Sequence, residues 1–261
     1  MNFQWLNESN LTKEGEKITI YAPAGTDFFC NDGTVSEEGV TPESLHNAPF
    51  YYTELSGDFV LTVKVSHDFK DTYDSSSLMV MEDLKNWAKS CFEKTDFGTH
   101  AAVSVVTKNG RSDDANGCNL SGNTAWLRIC RVNNSFSFLY SEDGTHFYMT
   151  RFFNLSGMET VKVGMLAQAP QGDGGYRVYE NLTFEKMREH IILCQDGNRL
   201  KQFDYLMTFY ETHRNRYAKI KSWYLEQYKD EYNADADTNN DDNPPAPAVE
   251  QPASATLPMP C

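Results

Sequence analysis

Between residues 17 and 184 apolar and polar side chains alternate in short runs, with turn residues between the runs. Lys17-Ile-Thr-Ile-Tyr21 alternates until Pro23 and Gly25 break it, and the run 58–65 places Phe59, Leu61, Val63 and Val65 on one side. The runs 101–107, 126–132, 135–140, 160–167 and 177–184 continue the pattern. A period of two is that of a strand, whose successive side chains point to opposite faces. Asn109-Gly110, Asn133-Asn134 and Asp143-Gly144 tolerate the positive φ that tight hairpins require. About a dozen strands with no convincing helix predict an all-β body of two large packed antiparallel sheets. The stretch 111–123, rich in Asp, Asn, Ser and Gly, reads as a loop.

The stretch 76–93 reads as two strands and a turn. Residues 78–81 are continuously apolar, as in a strand covered on both faces. In the second half, Trp87, Lys89, Cys91 and Glu93 fall on one face and Ala88, Ser90 and Phe92 on the other. A ring, an ammonium and a carboxylate therefore share one side of the sheet.

Beyond the body the period changes. Phe203, Leu206, Tyr210, His213, Tyr217, Ile220 and Tyr224 recur at spacings of three and four, one stripe on a helix of roughly 30 residues. Tyr and His make a poor coiled-coil seam because their polar atoms need partners when buried. Docking onto the body is therefore expected, against a helix kept free for a partner or membrane surface and against a dimer seam. From Ala234 the chain is Asp, Asn, Pro and Ala with few large apolar side chains, and disorder is expected there. The organisation expected is a sandwich over 1–187, a helical extension over 188–232 and a disordered acidic, Pro-rich tail over 233–261.

The chain carries 23 basic and 37 acidic residues, a formal charge of -14. Such an excess repels a phosphate backbone, so no nucleic-acid partner is expected. No run of 18 apolar residues exists, and the first eight residues lack the basic start and apolar core of a signal peptide. A cytoplasmic monomer without membrane contact is the expectation. Six cysteines at irregular spacings, with no Cys-x-x-Cys, read as reduced thiols, mostly small buried hydrophobes.

One ordered set of short motifs points to a family. It comprises Ala22-Pro23 with Thr26-Asp27-Phe28, Asn47-Ala48-Pro49, Gly57-Asp58-Phe59, the Trp87-x-Lys89-x-x-x-Glu93 face, and Leu127-Arg128 with Arg131. Tyr140-Ser141-x-Asp143-Gly144 and Val163-Gly164 with Ala169-Pro170 complete it. From about Trp5 to Phe184 this pattern resembles domain of unknown function 1349, a family related to concanavalin A-like lectins and glucanases that includes the fungal regulator-of-enolase proteins. The resemblance implies a concanavalin A-like antiparallel β-sandwich, or jelly roll. It adds Asp27, Arg128 and Tyr52 to the candidate ligand contacts. Two positions depart from the pattern: Phe147 stands where Trp is expected, and Arg111-Ser-Asp-Asp lacks an expected aromatic.

Chemistry has few anchors in this sequence. There is no Glu-x-Asp-x-x-Glu strand to aim acids into one cleft; Glu82-Asp83 and Glu142-Asp143 are adjacent, so in a strand their members diverge. Residues 112–123 fail as a calcium loop, with Ser112 first and Asn123 twelfth, and Asp68, Asp71 and Asp74 read as a solvated acidic loop. No zinc spacing, nucleophile elbow, phosphate loop or dinucleotide fingerprint is present, so no metal, cofactor or catalytic residue is assigned. The face bearing Trp87, Lys89 and Glu93 suits a sugar, which stacks on a ring while charged groups bond its hydroxyls. The reading is a non-catalytic module that binds a carbohydrate or similar polyol. The alternative, implied by the family, is a regulatory scaffold acting through a protein partner; a glycoside hydrolase stands third.

Overall fold

The alternating runs become sixteen strands in the computed structural model, which describes residues 1–31, 44–68 and 70–187. They are β1 (Gln4–Leu6), β2 (Leu11–Glu14), β3 (Lys17–Pro23), β4 (Phe28–Phe29), β5 (Leu45–His46), β6 (Phe50–Ser56), β7 (Phe59–His67) and β8 (Ser75–Asp83). The second half is β9 (Asn86–Lys94), β10 (His100–Lys108), β11 (Arg111–Asn119), β12 (Thr124–Val132), β13 (Ser135–Ser141), β14 (Tyr148–Asn154), β15 (Thr160–Gln168) and β16 (Gly174–Lys186). A first sheet runs β1-β6-β15-β8-β9-β10-β11 and a second runs β14-β13-β12-β7-β16-β3-β2; every pairing is antiparallel. β4 and β5 form a separate two-stranded ribbon. This is the expected concanavalin A-like sandwich.

Period two decides the core. Ile18, Ile20, Leu61, Val63, Leu127, Ile129, Phe136 and Phe138 from the second sheet meet Ala88, Phe92, Val163 and Met165 from the first. Alternation puts the partner set of β9, namely Trp87, Lys89, Cys91 and Glu93, on the outer face of the first sheet. The hairpin expected over 76–93 is β8 and β9, paired with Met79 opposite Lys89 and Ser75 opposite Glu93. β8 is buried at every position from Ser75 to Glu82, as its continuous apolar run requires.

A second apolar cluster lies on that outer face. Phe28 from the ribbon joins Phe50, Met79, Met81, Trp87 and Leu166 there, its ring set edge-on to Trp87 at 5.7 Å. The ribbon thus covers the end of the face where β9 begins. Gly164 lets β6 pass close to β15: a Cβ there would lie 2.2 Å from the Tyr51 carbonyl oxygen.

Residues 111–119 differ from the loop expected of them and form edge strand β11, paired only with β10. Asp, Asn and Gly are poor strand formers by composition, but an edge strand needs only one set of backbone partners and leaves most of its polar side chains in water. Polar side chains along it also keep the open edge from pairing with another chain. The expected helical extension and acidic tail lie outside the described residues. Among the described residues no helix is long and apolar enough to cross a membrane. The four described cysteines are free thiols, with Cys30, Cys91 and Cys130 buried and Cys118 exposed.

Candidate functional site

Where the ribbon stops, the outer face of the first sheet opens into a cavity of about 450 Å³. Lys89 and Glu93 from β9 form its floor, and both are almost fully buried, at 2% and 6% exposure. One row across the sheet runs Lys89, Val105 and Asp114 on β9, β10 and β11, so the edge strand contributes a carboxylate to the wall. Phe29, Tyr73 and Pro170 supply ring and apolar surface, and Asp27 and Gln168 supply polar atoms.

Lys89, Asp27 and Gln168 are each held from more than one element. The Lys89 ammonium donates to Asp27 Oδ1 at 2.7 Å and to Gln168 Oε1 at 2.9 Å. Asp27 is fixed in turn by Asn47: the Asp27 amide donates to Asn47 Oδ1 at 2.9 Å, and Asn47 Nδ2 donates to the Gly25 carbonyl at 3.0 Å. The amide of Gln168 also reaches the Tyr73 carbonyl, at 3.4 Å. Tyr73 has φ of 66°, in the left-handed region that a bulky side chain rarely adopts, and its N–H donates to the Lys94 carbonyl at 2.7 Å. A strained backbone is thus pinned at the rim of the cavity.

Burial and charge set the protonation states. Burial pushes the Glu93 carboxyl up to about 8; Lys89 pulls against that shift, and Asp114 and Asp27 add to it. Burial works against the Lys89 charge, yet the Asp27 carboxylate, with smaller contributions from Cys91 and Glu93, outweighs it and holds the ammonium above the usual lysine range. Asp114 is raised by burial, with Lys89 opposing. At neutral pH the floor therefore holds an ammonium–carboxylate pair beside a protonated carboxyl.

The cavity brings together three of the residues singled out in the sequence: Asp27, Lys89 and Glu93. Trp87 shares their face but is fully buried beneath Phe28 and does not line the cavity. Tyr52 is on the same face three strands from Lys89, buried and stacked on Phe50 at 5.2 Å. Arg128 belongs to the second sheet, where its guanidinium lies 3.5 Å from the centre of the Phe147 ring and Nε donates to Thr62 at 2.8 Å. Sequence reasoning missed Tyr73, Asp114, Gln168 and Phe29. Asp114 stood in a stretch read as a loop. Tyr73 stood in a polar connection where only its bulk set it apart.

Two carboxylates of the loop with Asp68, Asp71 and Asp74 face one cation: Arg177, fully buried, sits 2.9 Å from Asp74 and 3.6 Å from Asp68 and donates to the Gln168 carbonyl. Among the described residues no three His, Cys, Asp or Glu side chains are grouped to hold a metal ion.

A family model described as a protein of unknown function, DUF1349, matches residues 5–187. The chain belongs to the DUF1349 family. Among solved structures, this DUF1349 chain resembles a functionally unknown protein from Saccharomyces cerevisiae, with 25% identity and a TM-score of 0.61, over 70% of this chain and 96% of that one. It also resembles the xyloglucan-locus protein GH43B of Bacteroides ovatus, with 14% identity and a TM-score of 0.53, over 67% of this chain and 34% of that one. A xylan β-1,4-xylosidase from Bacillus halodurans gives 8% identity and a TM-score of 0.51, over 70% and 39%. At those last two identities the likeness is one of fold. No curated protein matches the sequence.

Proposed function

We propose that the DUF1349 domain is a non-catalytic binding module that holds a carbohydrate or similar polyol in the cavity over Lys89 and Glu93. The observation that carries this reading is a buried set of polar groups, the Lys89–Asp27 pair beside the Glu93 carboxyl, at the floor of an open cavity whose walls include a tyrosine. Buried charge is costly unless paired, and here the pairing leaves acceptors and a protonated carboxyl directed at the same space. A polyol both donates to carboxylates and accepts from a carboxyl or an ammonium, while its C–H face rests on a ring. The volume lies within the roughly 300 to 1,000 Å³ of small-molecule sites.

Hydrolysis is the second reading, favoured by the same protonated Glu93, which is the form a general acid needs. Against it, Asp27 is tied to the Lys89 ammonium and is poorly placed to act as a free nucleophile or base. A glycan array probed with wild type and Tyr73→Gly tests the binding reading. Signal with the wild type that falls about tenfold in the variant, ~1.4 kcal/mol, supports it. An empty array contradicts it, and a protein then recovered by pull-down supports the regulatory scaffold. Release of reducing sugar from a bound glycan supports hydrolysis.

A further inference from the structure

The charges at this cavity are unequal, and the inequality bears on which sugars it takes; the step rests on the cavity being the ligand site. Lys89 is the cation on its floor, and two of its three N–H bonds are directed at Asp27 and Gln168. The three carboxyl groups come from three parts of the chain: Asp27 ahead of the ribbon, Glu93 on β9 and Asp114 on β11. Arg151 pairs with the neighbouring Asp113 at 3.0 Å, and no ion pair within 4 Å is formed by Asp114 among the described residues. Glu93 is more than nine-tenths buried and lines the cavity.

We infer that the cavity selects a polyol that carries an amine, of the hexosamine kind, over its neutral counterpart, and rejects sugars that carry a carboxylate. An ammonium entering between Asp114 and Glu93 meets two acceptors without a basic side chain of their own, and the Tyr73 ring beside them is suited to a cation. A carboxylate meets Asp27 and Asp114 with the nearby ammonium already engaged, and repulsion between like charges in a partly dry site discriminates strongly. The groups that face Glu93 are Lys89 and Cys91 on its own strand, Asp27, Tyr73 and Asp114 from the others. Of these, Lys89 is the cation. A second cation stabilises the ionised form of Glu93, so amine binding near pH 7 expels a proton and neutral-sugar binding does not.

Calorimetric titration of the full chain with cellobiose and with the corresponding disaccharides of glucosamine and of glucuronic acid decides the matter. The expected result is affinity at least tenfold higher for the glucosamine disaccharide than for cellobiose, and at least tenfold lower for the glucuronate. Asp114→Asn, on the exposed edge, is expected to cut the amine preference at least fivefold. Heats measured in buffers of different ionisation enthalpy are expected to show proton release for the amine alone, lost in Glu93→Gln. Equal affinity for amine and neutral disaccharides, or tightest binding of the glucuronate, overturns the inference while the binding module stands. Binding of none of the three, with other glycans positive on the array, also overturns it alone; an empty array overturns the binding module beneath it.

Discussion

Glu93 is the residue whose chemistry the fold alters most visibly. Its folded pKa of about 8 lies above the ordinary glutamate value of 4.5, so between those values the folded state holds a proton that the unfolded state has lost. The stability Glu93 contributes is therefore full below about pH 4.5 and is lost as pH rises through about 8, above which both states are ionised. Glu93→Gln keeps the shape without the titration and is expected to remove most of this slope; urea denaturation at pH 5, 6.5 and 8 measures it. Trp87 behaves in the opposite way to a ligand contact. Truncating a fully buried ring leaves a cavity, so Trp87→Ala is expected to cost about 3–5 kcal/mol in the same assay. A loss of ligand binding in Trp87→Ala would then report unfolding, and that variant is no probe of the site. The alternation of β9 made the shared face of Trp87, Lys89 and Glu93 legible in the sequence. Which end of that face stays open was not legible, because the covering ring, Phe28, comes from a ribbon strand of two residues with no period to read.

At the scale of elements, hairpins were the readable part. Asn109-Gly110, with φ of 54° and 75°, and Gly144, with φ of 73°, turn the chain where their residue types indicate. β11 was unreadable because an edge strand is specified by its neighbour's backbone and not by its own side chains, and Asp114 was lost with it. The turn that carries Tyr73 was hidden for a related reason: a left-handed tyrosine has no local signature, since its conformation is imposed by the Lys94 carbonyl and Gln168. That strain makes Tyr73→Gly an informative variant. Glycine relieves a left-handed penalty of about 1–2 kcal/mol and gives back about 0.5–1 kcal/mol of chain entropy. After loss of the ring's contacts, the variant is expected to stay within about 1 kcal/mol of wild type in denaturation while glycan binding falls. A large destabilisation would show that the ring serves the fold instead of the cavity.

Across the whole molecule, the two sheets divide the labour. The inner faces form one continuous core, and on the outer face of the first sheet Lys89 is connected to Asp27 and Gln168, while the Gln168 carbonyl links this set to Arg177 of the second sheet, which faces Asp74. This set joins β9 to β15 and β16, so the cavity floor is braced by both sheets. The second sheet carries its own ring and cation, Phe147 over Arg128, and the family resemblance made Arg128 a candidate contact there. Position separates the two faces better than affinity does. The decisive measurement is a two-dimensional amide NMR titration of the full chain with an array-selected oligosaccharide. Shifts that cluster at Tyr73, Glu93, Asp114 and Gln168 are the predicted result; shifts that cluster at Arg128 and Phe147, with those four unmoved, would contradict it.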